Sequence, residues 1–153
     1  DFFKLLSPQQ VEKLRLAMPV KEHRKGHVFW KAGSHVSDDH CAVIFILEGQ
    51  VSVASDVGQI SQVPVARVLH PGEIFGLVTF LDVHVHSATC RAATPVRTAA
   101  MTRSEFDKLC KSDIALASAF MYAMARQLAR DVRACNNRLI TAITSGPAAK
   151  PAK

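Results

Sequence analysis

Between Val20 and Met101 the sequence is a succession of short runs of β-branched and aromatic residues, separated by glycine and proline. The runs include HVFWKAG, CAVIFILEGQVSVAS, ARVLHPGEIFG and HSATCRAATPVRTAAM. Short strands at such regular spacing, with turn residues between them, are typical of small antiparallel barrels and jelly rolls. The pattern therefore predicts a mainly β protein, and a chain of 153 residues suffices for one domain with one sizeable core.

Helices are predicted on both sides of this β region. Ser7 can cap a helix that has Pro8 at its first position, and Pro19 ends that helix. After the last strand, Thr102 or Ser104 can cap a second helix that runs through EFDKLC. The expected architecture is thus a barrel flanked by helices.

A long helix is predicted over residues 113–144, and one of its faces carries an apolar stripe with steps of three or four residues, as in a heptad repeat. Because a stripe of about six turns is longer than a small barrel can cover, we expect it to form a homodimer interface. The following residues, 145–153, predict a flexible tail, so the folded domain is expected to occupy residues 1–144. The expected interface residues are Met121, Met124, Leu128, Val132, Cys135 and Leu139.

The net charge of +6 is concentrated near the C-terminus. From Ile114 onwards there are six lysine and arginine residues but a single acid, Asp131. A solvated helix face explains this excess at least as well as a DNA-binding surface does, since no second helix-turn-helix unit follows that could enter a DNA groove. No run of about 18 apolar residues exists that could span a membrane. We therefore expect a cytoplasmic protein with no DNA-binding domain, no direct nucleic-acid binding and no membrane contact in these residues.

The four cysteines are scattered along the chain and form no CxxC pair of the kind that binds zinc or carries redox chemistry. Buried free thiols and a thiol sensor are both compatible with Cys41, Cys90, Cys110 and Cys135. A sensor would need a thiol with a lowered pKa.

Five segments carry a more specific pattern by their order and spacing: KGHVFWKAG, VIFILEGQVSV, HPGEIFG, HSATCRAATPVRTAAMTRSEFDKLC and MARQLARDV. Together they resemble the cyclic-nucleotide-binding domain of the catabolite activator protein (CRP/FNR) type, from about Phe2 to Ile143. The resemblance implies a double-stranded β-helix, or jelly-roll, barrel with an N-terminal helix and a long C-terminal dimerisation helix. It also implies a regulatory sensor in signal transduction and transcription regulation.

In that family, the backbone N–H groups of a short helix bind the cyclic phosphate, because a helix N-terminus has unpaired donors and a positive dipole end. The resemblance places these donors at Gly76, Leu77 and Val78. It places Asp131 and Val132, on the long helix, at the positions that face the nucleotide base. Cyclic AMP or cyclic GMP is the small-molecule effector that these positions imply.

Two side chains of the family's site are replaced. Leu77 stands where the family has a glutamate for the ribose hydroxyl, and His86-Ser87-Ala88 stands where the family has Arg-Ser/Thr-Ala for the phosphate. Leucine accepts no hydrogen bond, and a histidine near pH 7 is mostly neutral, whereas arginine is always charged. Each lost charge-assisted hydrogen bond costs about 1.5–3 kcal/mol, so we expect cyclic-nucleotide binding to be weakened by a few hundredfold or more. Replacing Leu77 with glutamate and His86 with arginine is expected to restore it.

Three interpretations of this pocket remain open. In the first, it is a sensor site for a weakly bound cyclic nucleotide or a different effector. In the second, the chain is a dimerisation and interaction module whose pocket is empty or filled by its own side chains, as inward-turned Leu77 and Val78 would indicate. In the third, the chain is a metal or haem sensor. The metal site would use His84, His86 and Cys90, which would lie on one face of a strand and resemble part of a cupin site, and haem would be bound by one of the histidines. No glutamate follows at the cupin spacing, so no metal ligand is assigned. No catalytic constellation stands out, and we expect no enzymatic activity.

Overall fold

The computed structural model describes residues 2–36, 41–55, 65–82 and 84–144. The expected flexible tail, residues 145–153, lies outside these ranges. The elements, in chain order, are a 3-10 helix Phe3–Leu5, α1 Pro8–Ala17, β1 Val20–His23, β2 Val28–Trp30, β3 Ala42–Glu48, β4 Val51–Ser55, β5 Val65–Leu69, β6 Ile74–Phe75, α2 Leu77–Asp82, β7 Thr89–Ala92, β8 Val96–Thr102, α3 Arg103–Ser112 and α4 Ile114–Thr144.

The described strands form two antiparallel four-stranded sheets, with the orders β1-β8-β3-β6 and β2-β7-β4-β5. In the first sheet β3 and β8 pair along most of their length, with Val43 opposite Met101. In the second sheet β4 pairs with both β5 and β7. This arrangement, with helices before and after it, confirms the predicted jelly roll with an N-terminal helix and a long C-terminal helix.

The helix boundaries follow from capping residues that the sequence displays. The Ser7 hydroxyl accepts from the Gln10 N–H and the Gln10 side chain accepts from the Ser7 N–H, with Pro8 at the first helical position. Thr102 and Glu105 form the same reciprocal capping box at the start of α3. Each cap stabilises its helix by about 1 kcal/mol. Both helix starts are as predicted, with Thr102 rather than Ser104 as the cap of α3.

Strand β3 is buried on both faces, because the barrel packs against helices on one side and closes on itself on the other. Its residues Val43 and Phe45 belong to a core shared with the helices, and Ile44 and Ile46 belong to a core between the two sheets. The helix-side core also holds Phe2, Leu14, Phe80, Met101, Phe106, Phe120 and Met124. The inter-sheet core also holds Val51, Leu69, Phe75, Cys90 and Val96.

The two halves of α4 have different surroundings. The first half packs on the barrel and buries Leu116, Phe120 and Met124. From Val132 to the end at Thr144 every residue is exposed. Met124 is 0% exposed within its own chain, so it belongs to the protomer core and cannot contact a partner. This placement corrects the expectation that Met124 lies in a dimer interface, since the predicted stripe runs from the protomer core out onto the exposed half of the helix.

Candidate functional site

A cavity of about 150 Å³ lies where α2, β7 and α4 meet; we call it the α2–α4 cavity. It brings together residues far apart in the sequence, from β2, the α2 region, β7 and α4. Six of the eight residues expected from the sequence line it, namely Gly76, Leu77, Val78, Ser87, Ala88 and Asp131. The other lining residues are Trp30, Val53, Ile74, Phe75, Thr79, Cys90 and Leu128.

The turn into α2 requires glycine at position 76 for two independent reasons. Gly76 has a φ of +84°, in the left-handed region that side chains other than glycine rarely adopt. A Cβ atom built there would also lie 2.4 Å from the Ala42 carbonyl oxygen and 2.9 Å from the Trp30 ring. The Gly76 carbonyl then accepts the helical hydrogen bond of Phe80 at 2.9 Å. The backbone at the start of α2 is thus held tightly against β3 and β2.

Leu77 and Val78 point in different directions from the first turn of α2. Leu77 is 5% exposed and packs in the helix-side core, although part of it reaches the α2–α4 cavity. Val78 is 49% exposed and lies at the cavity rim. The inward turn that would indicate a filled pocket is therefore seen for Leu77 and not for Val78. A glutamate in place of Leu77 would bring a carboxylate into an apolar core.

The segment that contains His84 and His86 is not a strand, contrary to the expectation from its alternating pattern. It is a loop between α2 and β7, and β7 begins at Thr89. At the start of this loop the Asp82 carboxylate accepts a hydrogen bond from the His84 N–H at 3.2 Å. His84 is exposed, whereas His86 and Cys90 are buried, so the three side chains do not share an open face. Across the described part of the chain, no group of three or more histidine, cysteine or acidic residues is placed to hold a metal ion.

His86 is 2% exposed and packs against Trp30. The two rings are stacked, with centroids 4.6 Å apart and an interplanar angle of 10°. The loop is tied to the turn after β2, since the His86 N–H donates to the Ser34 carbonyl and the Gly33 N–H donates to the His86 carbonyl. His86 lies behind Trp30 and is not among the residues that line the α2–α4 cavity.

The long helix contributes Leu128 and Asp131 to the cavity wall. Asp131 Oδ1 accepts from Gln127 Nε2 at 3.0 Å, and Gln127 Oε1 accepts from Arg130 Nη2 at 2.6 Å. Val132, which the resemblance placed against the base, is exposed and does not line the cavity. Leu128 lies on the cavity side instead, because residues three apart, such as 128 and 131, share one face of a helix.

The described wall of the α2–α4 cavity carries one acid and no lysine, arginine or histidine. A phosphate there would meet the Asp131 carboxylate and no cation, whereas phosphate sites in proteins usually supply arginine or lysine. The volume of about 150 Å³ also lies below the roughly 300 Å³ from which small-molecule sites usually start. In the conformation described, the cavity does not offer what an anionic nucleotide needs.

Cys90, the cysteine that lines the α2–α4 cavity, has a thiol of low reactivity. Burial raises the pKa of the Cys90 thiol to about 12, so it stays protonated near neutral pH and is a poor nucleophile. Cys41 is also buried, and its Sγ lies 3.7 Å from the Thr79 carbonyl oxygen. Cys135, on the distal half of α4, is exposed.

Sequence reasoning missed Trp30, Phe75, Thr79 and Leu128 as cavity residues. Trp30 is the single tryptophan of the chain, but its position in a short strand gives no indication that it closes a cavity built by α2 and α4. None of the described helices is both long and apolar enough to cross a bilayer.

Several solved structures have a fold similar to that of this chain. Comparison with curated protein sequences gives no significant match. The catabolite activator protein of Thermus thermophilus is similar in structure, with 22% identity and a TM-score of 0.73 over 90% of this chain and 61% of that one. This chain therefore spans less than two thirds of that relative.

Two further solved structures have the same fold. A cyclic nucleotide-binding domain from Methylobacillus flagellatus has 20% identity and a TM-score of 0.79, over 88% of this chain and 73% of that one. The regulatory subunit of a cAMP-independent protein kinase A from Trypanosoma brucei, in a triple mutant bound to cAMP, has 22% identity and a TM-score of 0.65, over 82% of this chain and 42% of that one.

The family model of the cyclic nucleotide-binding domain matches residues 20–113, which is more than half of the chain. The matched stretch includes every described strand, α2 and α3. The α2–α4 cavity therefore lies within the matched region except for its α4 wall. The chain belongs to the cyclic nucleotide-binding domain family.

Proposed function

We propose that this chain is a homodimeric, regulatory ligand-sensing domain of the CRP/FNR type that acts in the cytoplasm. Its α2–α4 cavity binds a cyclic nucleotide weakly, or binds a different small effector. Family membership supports the sensing role, and six of the eight positions that the sequence resemblance implies for nucleotide contact line the cavity. The proposal assigns regulation rather than catalysis to the domain, and it assigns no DNA contact to these residues.

The observation that carries the altered specificity is the charge of the cavity wall. The described wall has the Asp131 carboxylate and no cationic side chain, and the position of the family's arginine is taken by His86, buried behind Trp30. An anionic ligand is disfavoured in such a wall, because it gains no charge-assisted hydrogen bond from a side chain. A neutral or cationic effector suits Asp131 better.

A solved structure with the same fold bears on nucleotide binding at this cavity. That protein is described as a cAMP-independent kinase regulatory subunit, and its triple mutant as bound to cAMP. By analogy, we infer that the backbone of this chain's cavity retains the capacity to accommodate a cyclic nucleotide once its side chains permit it.

The homodimer is proposed from the exposed apolar residues of the distal half of α4. Val132, Leu139, Ile140 and Ile143 are each more than half exposed in the single chain. Helical apolar surface of this kind is stabilised when a second copy of the same helix covers it, as in a coiled coil. Of the predicted interface residues, Met121, Val132, Cys135 and Leu139 are exposed, and Leu128 is half-buried.

Signalling would follow from the position of α4, which serves both the cavity and the proposed interface. Leu128 and Asp131 line the cavity, and Val132 and Cys135 lie on the next turn of the same helix. A ligand that contacts Asp131 better in one arrangement of α4 than in another would shift the population of dimer arrangements.

The test is calorimetric titration of the purified chain with cyclic AMP and cyclic GMP, together with light scattering and a visible spectrum. We expect a dimer, no haem absorbance, and saturable heat only towards millimolar nucleotide. Micromolar binding would refute the altered site. A dimer with no heat at all would favour the second interpretation, a dimerisation module with a non-functional pocket, and a coloured or metal-loaded sample would favour the haem or metal sensor.

A further inference from the structure

A second cavity, of about 230 Å³, opens between the two sheets on the side of β1 and β2. We call it the histidine cavity, after His23 and His27 on its rim. Trp30 lines both this cavity and the α2–α4 cavity, so the indole ring is a wall that the two share. The histidine cavity has no part in the function proposed above.

The inner walls of the histidine cavity are apolar and aromatic. Phe29 and Trp30 form one side, with ring centroids 6.4 Å apart, and Ile44 and Ala100 lie on the facing sheet. An apolar cavity of about 150 Å³ can hold a benzene molecule. A volume of about 230 Å³ therefore accommodates a six-membered ring together with one small substituent.

The rim of the histidine cavity is basic. Lys21 and His23 extend inward from edge strand β1, since Lys21 is paired with Thr98, whose side chain lines the same cavity. The His23 and His27 rings lie with centroids 4.5 Å apart, and His23 Nε2 lies 3.1 Å from the buried Thr98 Oγ1. Glu22, between Lys21 and His23 in the sequence, does not line the histidine cavity but a neighbouring depression, to which His23 also contributes.

Three basic side chains thus crowd a cavity whose described wall contains no carboxylate. Burial, followed by repulsion from His27 and Lys21, lowers the pKa of His23, so without an anion nearby its imidazole is mostly neutral near pH 7. An anion at the rim would relieve that repulsion and accept hydrogen bonds from Lys21 and from a protonated imidazole.

We propose that the histidine cavity binds a small aromatic carboxylate, with its ring between Phe29, Trp30 and Ile44 and its carboxylate at Lys21 and His23. The apolar walls select a flat ring, and the basic rim selects a negative charge. The α2–α4 cavity is smaller and has the opposite charge character, since its described wall holds Asp131 and no cationic side chain.

The experiment uses benzoate as the probe and the fluorescence of Trp30, the single tryptophan, as the signal. We expect a saturable change with benzoate, and binding of benzamide, which has the same ring without the charge, to be weaker by about tenfold or more. Equal affinity for the two compounds would overturn the proposal, because the basic rim would then have no role.

Two pairs of variants locate the site. Lys21→Met is expected to weaken benzoate binding by about tenfold, whereas Lys25→Met, which removes a cation outside the cavity, leaves it unchanged. Ala100→Leu fills the histidine cavity and is expected to abolish binding, whereas Ser87→Leu, at the mouth of the α2–α4 cavity, leaves it intact.

Circular dichroism and the melting temperature show whether each variant is folded. If Ala100→Leu does not fold, the comparison of Lys21→Met with Lys25→Met still tests the site. Equal losses in the two lysine variants would overturn the proposal. Loss of binding in Ser87→Leu with retention in Ala100→Leu would do the same, since it would place benzoate in the other cavity. A negative titration with cyclic nucleotides bears only on the α2–α4 cavity and leaves this test unaffected.

Discussion

The α2–α4 cavity and the histidine cavity both have Trp30 in their walls, but their charged side chains are of opposite sign. The α2–α4 cavity has the position and the glycine-led helix start that the sequence resemblance implies for a nucleotide site, but its described wall holds one acid and no basic side chain. The histidine cavity has three basic groups and aromatic walls. A cavity can therefore keep a backbone arrangement suited to an anion while its side chains lack the positive charge that would bind one.

The largest expected effect concerns the wall of the α2–α4 cavity. Leu77→Glu would bury a carboxylate in the helix-side core and is expected to lower the free energy of unfolding by roughly 3 kcal/mol or more. Val78→Glu, at the adjacent exposed position, is expected to change it by less than about 0.5 kcal/mol. Urea denaturation of both variants measures the difference.

This expectation revises the earlier idea that Leu77→Glu helps to restore nucleotide binding, since the buried position makes the change destabilising before any ligand is added. Equal stability of the two variants would show that Leu77 is not a core residue and that the start of α2 differs from the description given above.

A second prediction concerns α4. This helix lines the α2–α4 cavity and does not contribute to the described wall of the histidine cavity, so a change in its exposed half should not affect binding in the histidine cavity. Leu139→Glu places a charge in the proposed dimer interface and is expected to weaken association by about 2 kcal/mol, roughly thirtyfold. Analytical ultracentrifugation measures this loss, with Asn137→Glu on the same exposed half of α4 as the control. Benzoate affinity should stay unchanged in both variants.

An unchanged association state in Leu139→Glu would contradict a dimer formed through α4. A parallel loss of benzoate binding would show that the two cavities are not separable in this way.

The smallest effect concerns the shared wall itself. A double-mutant cycle of Trp30→Ala and His86→Ala is expected to give a coupling free energy of about 0.5–1.5 kcal/mol, because the stacked rings lie 4.6 Å apart. Chemical denaturation of the two single variants and the double variant supplies the cycle. A coupling below about 0.3 kcal/mol, within the usual additivity error, would mean that the rings do not interact.

The elements of the fold were largely predictable, because capping residues, turn residues and hydrophobic periodicity act locally. Ser7 and Pro8 mark the start of α1, and the helix predicted over 113–144 is observed as Ile114–Thr144. The strand expected around His86 was wrong because alternation of apolar and polar residues over a few positions also occurs in a loop that buries single side chains.

The site was less predictable, because its character depends on contacts between distant parts of the chain. The resemblance gave the positions 76–78 and 87–88, which do meet in one cavity. It could not show that Leu77 turns into the core or that His86 packs behind Trp30, since both depend on three-dimensional packing. The histidine cavity was missed because Lys21 and Thr98 meet only through the pairing of β1 with β8.

We expect the unaltered α2–α4 cavity to bind a cyclic nucleotide weakly, above all because its described wall has no cationic side chain for the phosphate. Calorimetric titration of His86→Arg with cyclic AMP tests this most directly, because arginine is longer than histidine, and a guanidinium that reaches past Trp30 into the cavity would add a charge-assisted hydrogen bond to the phosphate. His84→Arg is the matched control, since it adds the same charge at an exposed position of the same loop. We expect His86→Arg to bind cyclic AMP about tenfold or more tightly than the unaltered chain does, with no gain in the control. Micromolar binding by the unaltered chain, or equal gains in both variants, would contradict it.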